Sequence, residues 1–378
     1  MTSGPDGRGV AAGRHSLGAS LPDFPWDSLA GATARARSHE GGLVDLSVGT
    51  PVDPTPEIGR QALAAAADSP GYPTTIGTPA LRAAMVSYLT TRWGADRLDE
   101  SGVLPVLGTK ELVAWLPLQL GLGPEDLVMF PSVAYPTYAV GTQLARSRAL
   151  AADSAEAIRE HRPALVWLNS PSNPTGAVRT AEELAELVAA AREVGAIVAS
   201  DECYGEFGWE AEPVSVLDAR VSGGSYTGLL AVHSLSKRSN LAGYRAGFLG
   251  GDPALVDDLR QLRRHGGMIM PGPVQAAMAV LLADNDHVVQ QRERYAARRA
   301  RMRPALESAG FTIDHSEAGL YLWATRGENC RATIDFLAGL GILAAPGDFY
   351  GNDSARHVRI AMTATDERIA AAAERLSA

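Results

Sequence analysis

Lysine is nearly absent from this sequence. Among 34 basic residues in 378, only Lys110 and Lys237 carry an amine, and the rest are arginines. Chemistry that needs a primary amine is therefore confined to two positions. Cysteine is equally scarce: Cys203 and Cys330 stand alone, with no CxxC pair and no Cys/His cluster of ligand-like spacing. That argues against a disulfide framework or a metal centre and fits a reducing cytoplasm. No apolar run approaches the roughly 20 residues of a membrane span, and the first two dozen residues lack the apolar core of a signal peptide. A formal charge of -9 disfavours a broad nucleic-acid or anionic-membrane surface. The expectation is a soluble, cytoplasmic protein without metal, nucleic-acid or membrane partners.

What is present is apolar and ordered in pattern. Hydrophobic residues make up 46% and charged residues 20%, enough for a sizeable core, and the length suits two lobes. Residues 1–25, rich in Gly, Ser and Pro, read as a flexible arm. PEIGRQALAAAADSP and TPALRAAMVSYLTTRWG read as helices, the second with Thr78 as N-cap and Pro79 at its first position. Short apolar runs (LVMF, ALVWL, AIVAS, LLAVH) then alternate with helical segments such as TAEELAELVAAAREVG, where Thr180 and Glu183 form a capping box. This alternation predicts an α/β fold with a mostly parallel sheet covered on both faces. Ligands of such sheets bind beyond the carboxyl ends of the strands. Asn169, Asp201 and Ser234 stand at those ends. From about residue 285, Arg-rich helices precede short strands, which predicts a smaller α+β lobe. The boundaries read as a large lobe over 51–279 and a smaller one over 26–50 with 280–378.

Four segments suggest chemistry. In SLSKRSNLAGYRAGF, Lys237 offers what a guanidinium does not at neutral pH: it can lose its proton and condense with a carbonyl. Ser234 and Ser236 supply hydroxyls suited to phosphate oxygens, and Arg245 a bidentate clamp. Read alone, the stretch is also a solvated loop. In SDECYGEF, Asp201 at the end of a buried strand needs a cation, which a protonated pyridine nitrogen would supply, with Tyr204 close by. A helix cap or a structural Arg partner would satisfy Asp201 as well. NSPSNPTG holds Asn173 in a tight loop, or is simply a turn. In VLGTKELVAWLP, Gly108 and Thr109 open a helix whose free N–H groups favour an anion, with Lys110 adjacent. In AYPTY, Tyr135 can stack on an aromatic cofactor, while Tyr138 fits core packing equally well.

In this order the segments resemble the fold-type I pyridoxal-phosphate enzymes, specifically class I/II aminotransferases, over nearly the whole chain from about residue 21. The resemblance implies that Lys237 forms the Schiff base with pyridoxal 5'-phosphate and shuttles the substrate proton. It implies that Asp201 pairs with the ring nitrogen and that Tyr204 and Asn173 bond the ring oxygen. Ser234, Ser236, Arg245, Gly108, Thr109 and Lys110 would hold phosphate, and Tyr135 would stack on the ring. Arg359, in HVRIAMT, matches the clamp for the substrate α-carboxylate, with Gly49 binding the same group by its backbone. Tyr72 matches a tyrosine that reaches a partner subunit's phosphate, which implies a homodimer with shared active sites.

More narrowly, GTPVDPTP, GYPTTIGTPALR and PGDFYG…HVRIAMTATDERI are similar to the actinobacterial N-succinyldiaminopimelate aminotransferases of lysine biosynthesis. These exchange an amino group between L-glutamate and N-succinyl-2-amino-6-ketopimelate. Such substrates carry extra carboxylates, and Arg264 or His265 in LRRHGGMIMPGP is the expected contact, or else a solvated helix end. An aminotransferase of aspartate, aromatic or kynurenine type, or a carbon–sulfur β-lyase, would share the cofactor residues. A DNA-binding sensor built on the same fold is disfavoured, since the short arm leaves no room for a helix-turn-helix.

Overall fold

The computed structural model describes residues 17–378; most of the expected N-terminal arm lies outside the described residues. The central element is a seven-stranded sheet. Its strands are β1 (Val103–Val106), β2 (Leu127–Phe130), β3 (Arg148–Ala151), β4 (Leu165–Asn169), β5 (Ile197–Asp201), β6 (Leu229–Ser234) and β7 (Gly247–Gly251). Their spatial order is β1-β7-β6-β5-β4-β2-β3, and β7 alone runs against the others.

Alternate residues of these strands enter two different cores. In β4, Val166 and Leu168 pack on one face with Leu184 and Val188, while Leu165 and Trp167 face Leu112, Leu116 and Tyr138 on the other. A strand buried on both faces needs apolar residues at every position, which is why these segments read as unbroken apolar runs. Burial of each large side chain contributes about 1.5–3 kcal/mol before entropy is counted.

The covering helices start and stop where their local chemistry dictates. Helix α1 (Pro79–Trp93) is capped by Thr78, whose hydroxyl accepts from the Leu81 N–H at 3.2 Å, and ends at Gly94 with φ +67°. Helix α2 is Thr109–Gln119. Helix α3 (Ala181–Val194) carries the full capping box of Thr180 and Glu183. After β6 comes α4, the single turn Leu235–Arg238 that carries Lys237. Helices α5 (Pro253–His265) and α6 (Gly272–Ala283) lead to the long α7 (Asp286–Ser308).

A second sheet is antiparallel, built from β8 (Thr312–Asp314), β9 (Tyr321–Thr325), β10 (Ala345–Pro346) and β11 (Val358–Ala361) in the order β10-β11-β9-β8. Its core draws Leu29, Val44 and Leu46 from early in the chain onto Met302, Leu322, Ile360 and Ile369. Val44–Asp45 pairs in parallel with Ile342–Leu343. The chain thus returns its early segment to the late sheet and brings Gly49 and Arg359 to one place.

Helix α7 contacts both parts. Arg298, 3% exposed on its side chain, pairs with Asp53 at 2.6 Å and Asp366 at 2.6 Å. At its start, His287 Nε2 meets Ser239 Oγ at 2.8 Å, and Gln291 accepts from Asn240 Nδ2 at 2.9 Å. The turn carrying Lys237 is therefore held from behind by this helix.

Candidate active site

Register places the first polar residues side by side. Asn169 and Asp201 are direct partners at the ends of β4 and β5, and Ser234 ends β6. Beyond these ends lies a cavity of about 530 Å³, lined by Gly49, Thr109, Lys110, Tyr135, Asn173, Asp201, Tyr204, Ser234, Ser236, Lys237, Arg245 and Arg359. Twelve of the residues singled out in the sequence thus converge, although they span more than 300 positions. A larger cleft of about 1040 Å³ adjoins it, shares Phe24 and Tyr135, and is also lined by Asp23, Arg331, Asp353 and the buried Tyr350.

Lys237 projects from its one-turn helix, where Ser234 caps the turn by accepting from the Ser236 N–H at 3.1 Å. Its Nζ donates to the Gly49 carbonyl. Burial, and then the positive charge of Arg359, bring the amine down from its ordinary 10.5 to about 8. Both causes disfavour the ammonium form.

Asp201 is buried. Its Oδ2 accepts from the Tyr138 hydroxyl at 3.0 Å and its Oδ1 from the Cys203 N–H at 3.2 Å. No cation pairs with it among the described residues. Burial accordingly pushes its carboxyl above the usual range, against the pull of the hydrogen bonds. A buried carboxylate with neutral donors only is suited to a cation that arrives with a ligand. The pairing with a structural Arg that the sequence left open does not occur.

Another group of cavity residues favours an anion. Helix α2 opens at Gly108, φ +81°, whose added Cβ would stand 2.3 Å from Arg245 Nη2. Only glycine lets the guanidinium approach this helix start. The first amides of α2 have no partner within the helix, and the Ser234 and Ser236 hydroxyls and Lys110 line the same cavity.

Arg359 is buried on β11. Its Nη1 donates to Asn173 Oδ1 at 2.8 Å and its Nη2 to the Ser47 carbonyl at 2.8 Å, while Nε has no partner among the described residues. Its guanidinium lies 4.0 Å from the Tyr321 ring centroid. Tyr204, buried, shares a hydrogen bond of 2.9 Å with the Tyr321 hydroxyl.

Three residues of the expected set lie elsewhere. Tyr72 is fully exposed, and Arg264 is exposed in the last turn of α5, as is His265; none lines this cavity within the chain. The buried neighbour Arg263 instead pairs with Glu111 at 2.9 Å. Sequence reasoning missed Tyr321, Cys203 and the aromatic pair Phe24 and Trp26, all of which line the cavity. Cys203 sits between the two quoted residues of SDECY and was legible there. Tyr138 is core packing and also the donor to Asp201.

The sheet order, the strand-end cavity and the lysine turn, together with the family match, define a fold-type I pyridoxal-phosphate transferase. The model of the family "Aminotransferase class I and II" matches residues 42–376, and the chain belongs to that family, whose members depend on pyridoxal phosphate. A protein of Mycobacterium tuberculosis named "Probable aminotransferase" is 59% identical, over 98% of this chain and 88% of its own length. The 4-dedimethylamino-4-oxo-anhydrotetracycline transaminase OxyQ of Streptomyces rimosus is 58% identical, over 94% of this chain and 99% of its own. Among solved structures, a "probable N-succinyldiaminopimelate aminotransferase" of Thermus thermophilus superposes with a TM-score of 0.84 at 28% identity, covering 94% of this chain and 99% of that one.

The residues present fit that cofactor. The uncompensated Asp201 matches a pyridinium nitrogen, the α2 start with Arg245 matches a phosphate, and the low-pKa Lys237 amine lines the same cavity. The protein is an aminotransferase. No helix among the described residues is long and apolar enough to cross a membrane, and no group of metal-ligating side chains is found among them.

Proposed function

We propose that the enzyme moves an amino group between L-glutamate and N-succinyl-2-amino-6-ketopimelate, the two substrates occupying one cavity in turn. The observation that carries this reading is the single cavity holding the Lys237 amine, the unpaired Asp201 carboxylate and the Arg359 guanidinium with its Nε free. Support for the substrate comes from the Thermus structure and from the LL-diaminopimelate aminotransferase of Dehalococcoides mccartyi strain BAV1, 30% identical over 93% of this chain and 94% of its own.

Pyridoxal phosphate, when bound, supplies the carbonyl that accepts the amino group and the ring that draws electrons from the substrate Cα. Asp201 holds positive charge at the ring nitrogen, and Tyr204 and Asn173 hold the ring oxygen. Gly108, Thr109, Lys110, Ser234, Ser236 and Arg245 hold the phosphate, and Tyr135 covers the ring. Arg359 and the Gly49 backbone bind the α-carboxylate and fix Cα beside Lys237. The neutral amine of Lys237 takes the Cα proton from the donor and, in the reverse half, returns a proton to Cα of the product.

Residues 51–279 form the lobe that holds the cofactor, and 26–50 with 280–378 the lobe that brings Gly49 and Arg359. In a homodimer, the exposed Tyr72 reaches the partner's phosphate and Arg264 the distal carboxylate in the partner's cavity. If Arg264→Ala leaves KM for the succinylated substrate unchanged, that last role is excluded.

The 58% identity with OxyQ supports a second reading, a polycyclic ketone such as 4-dedimethylamino-4-oxo-anhydrotetracycline as amino acceptor. Holoenzyme mixed with single donors separates the two. Bleaching of its visible absorbance by glutamate and by N-succinyl-LL-diaminopimelate, but weakly by aspartate or aromatic amino acids, supports the first. Bleaching by glutamate alone, with turnover on the polycyclic ketone, supports the second.

A further inference from the structure

Tyr321 was not singled out in the sequence, yet it joins three parts of the site. It is 4% exposed and begins β9, directly opposite Ala361 and two positions from Arg359 on the neighbouring strand. Its ring lies under the Arg359 guanidinium, 4.0 Å from centroid to Cζ. Its hydroxyl meets the Tyr204 hydroxyl at 2.9 Å. The same hydroxyl lies so near Gly49 that a Cβ added there would stand 2.2 Å from it. Gly49 in turn presents its carbonyl to Lys237 Nζ.

We propose that Tyr321 is a positioning residue for amino transfer, its hydroxyl setting the hydrogen-bond direction of Tyr204 and its ring seating Arg359. The proposal rests on the reading of the site given above. Each phenol has one proton. If Tyr204 donated to Tyr321, it would have none for the cofactor's ring oxygen. With Tyr321 as donor, Tyr204 accepts one bond and keeps its own proton for that oxygen, and each bond polarises the next. The ring acts separately: a desolvated guanidinium over an aromatic face gains enough to fix its plane. Arg359 has no carboxylate partner among the described residues, so its free Nε is aimed by the Tyr321 ring, the more distant Tyr350 ring at 5.1 Å and two neutral acceptors.

The two contributions separate by substitution. Tyr321→Phe keeps the ring and removes the hydroxyl; Tyr321→Leu removes both. In enzyme loaded with pyridoxal phosphate and without substrate, the pH midpoint of the visible band reports the hydrogen bond to the ring oxygen. Tyr321→Phe is expected to raise that midpoint by roughly 0.3–1 pH unit and to lower kcat, with KM for glutamate within about threefold. Tyr321→Leu is expected to raise that KM by about 3- to 30-fold in addition.

Tyr204→Phe supplies the decisive cycle. In its background, adding Tyr321→Phe should move the midpoint no further, because the hydroxyl acts only through Tyr204. A midpoint unchanged by Tyr321→Phe, or shifted equally in both backgrounds, overturns the proposal while the lysine reading stands. Wild-type enzyme that gains no visible band on loading overturns both.

Discussion

The lowered pKa of Lys237 has a measurable consequence before any substrate is added. An amine at about 8 instead of 10.5 is neutral roughly 300 times more often near neutral pH. Only the neutral amine attacks a carbonyl, so apoenzyme mixed with excess pyridoxal phosphate should gain its visible band at a rate proportional to that fraction. The sign follows from the causes. Burial and the Arg359 charge both destabilise the ammonium, so the neutral form gains as pH rises through about 8. The rate should climb close to tenfold per pH unit below 8 and flatten above. Arg359→Gln removes the cation with the larger effect on the amine and leaves burial in place, so its midpoint should move upward, toward but not to 10.5. The cofactor's own ionisations are common to both proteins and cancel in the ratio of rates. A wild-type rate still rising tenfold per unit at pH 10, or a midpoint unmoved in Arg359→Gln, would refute the reasoning.

Three other perturbations follow from the same geometry. Asp201→Asn leaves a ring cation without its buried carboxylate, and loss of one partner of such a pair costs about 3–5 kcal/mol; kcat should fall by hundreds-fold or more while far-ultraviolet circular dichroism stays unchanged. Gly108→Ala combines φ +81° with a Cβ 2.3 Å from Arg245 Nη2. It should weaken cofactor retention by about 5- to 150-fold, read as the Kd for pyridoxal phosphate by fluorescence quenching, since strain of about 1–3 kcal/mol falls on the phosphate-binding groups. Glu206 is a structural case: burial raises its carboxyl, but Arg238 and Arg92 outweigh burial and hold it below the usual range. Its stabilisation is present above the unfolded carboxylate pKa and is lost as pH falls through the folded one, so Glu206→Gln should lower Tm at pH 7 and flatten its acid dependence below pH 4.5, where differential scanning calorimetry can follow it.

Much of the large sheet was legible because its strands are buried on both faces and its helices carry their own signals, as at Thr78 and at Thr180 with Glu183. The residues that line the cavity were legible where one segment holds them together, as in SLSK or SDECY, and where family spacing linked segments. Contacts between distant segments were not. Tyr138 and Asp201 are 63 positions apart and Tyr204 and Tyr321 are 117 apart; no local pattern specifies either pair. The support of the Lys237 turn by His287 and Gln291 depends on how α7 packs across the chain. In LRRHGG the residue with a defined task within the chain is Arg263, fully buried against Glu111, because burial at a helix end is decided by packing and not by charge.

The central claim is that Lys237, and not Lys110, carries the cofactor. With two lysines in the chain, borohydride reduction of the loaded enzyme followed by peptide mass spectrometry decides it directly. The account predicts one phosphopyridoxyl label per chain, on the peptide containing Lys237, and none after Lys237→Ala. A label on Lys110, or a Lys237→Ala enzyme that keeps its visible band, would contradict it.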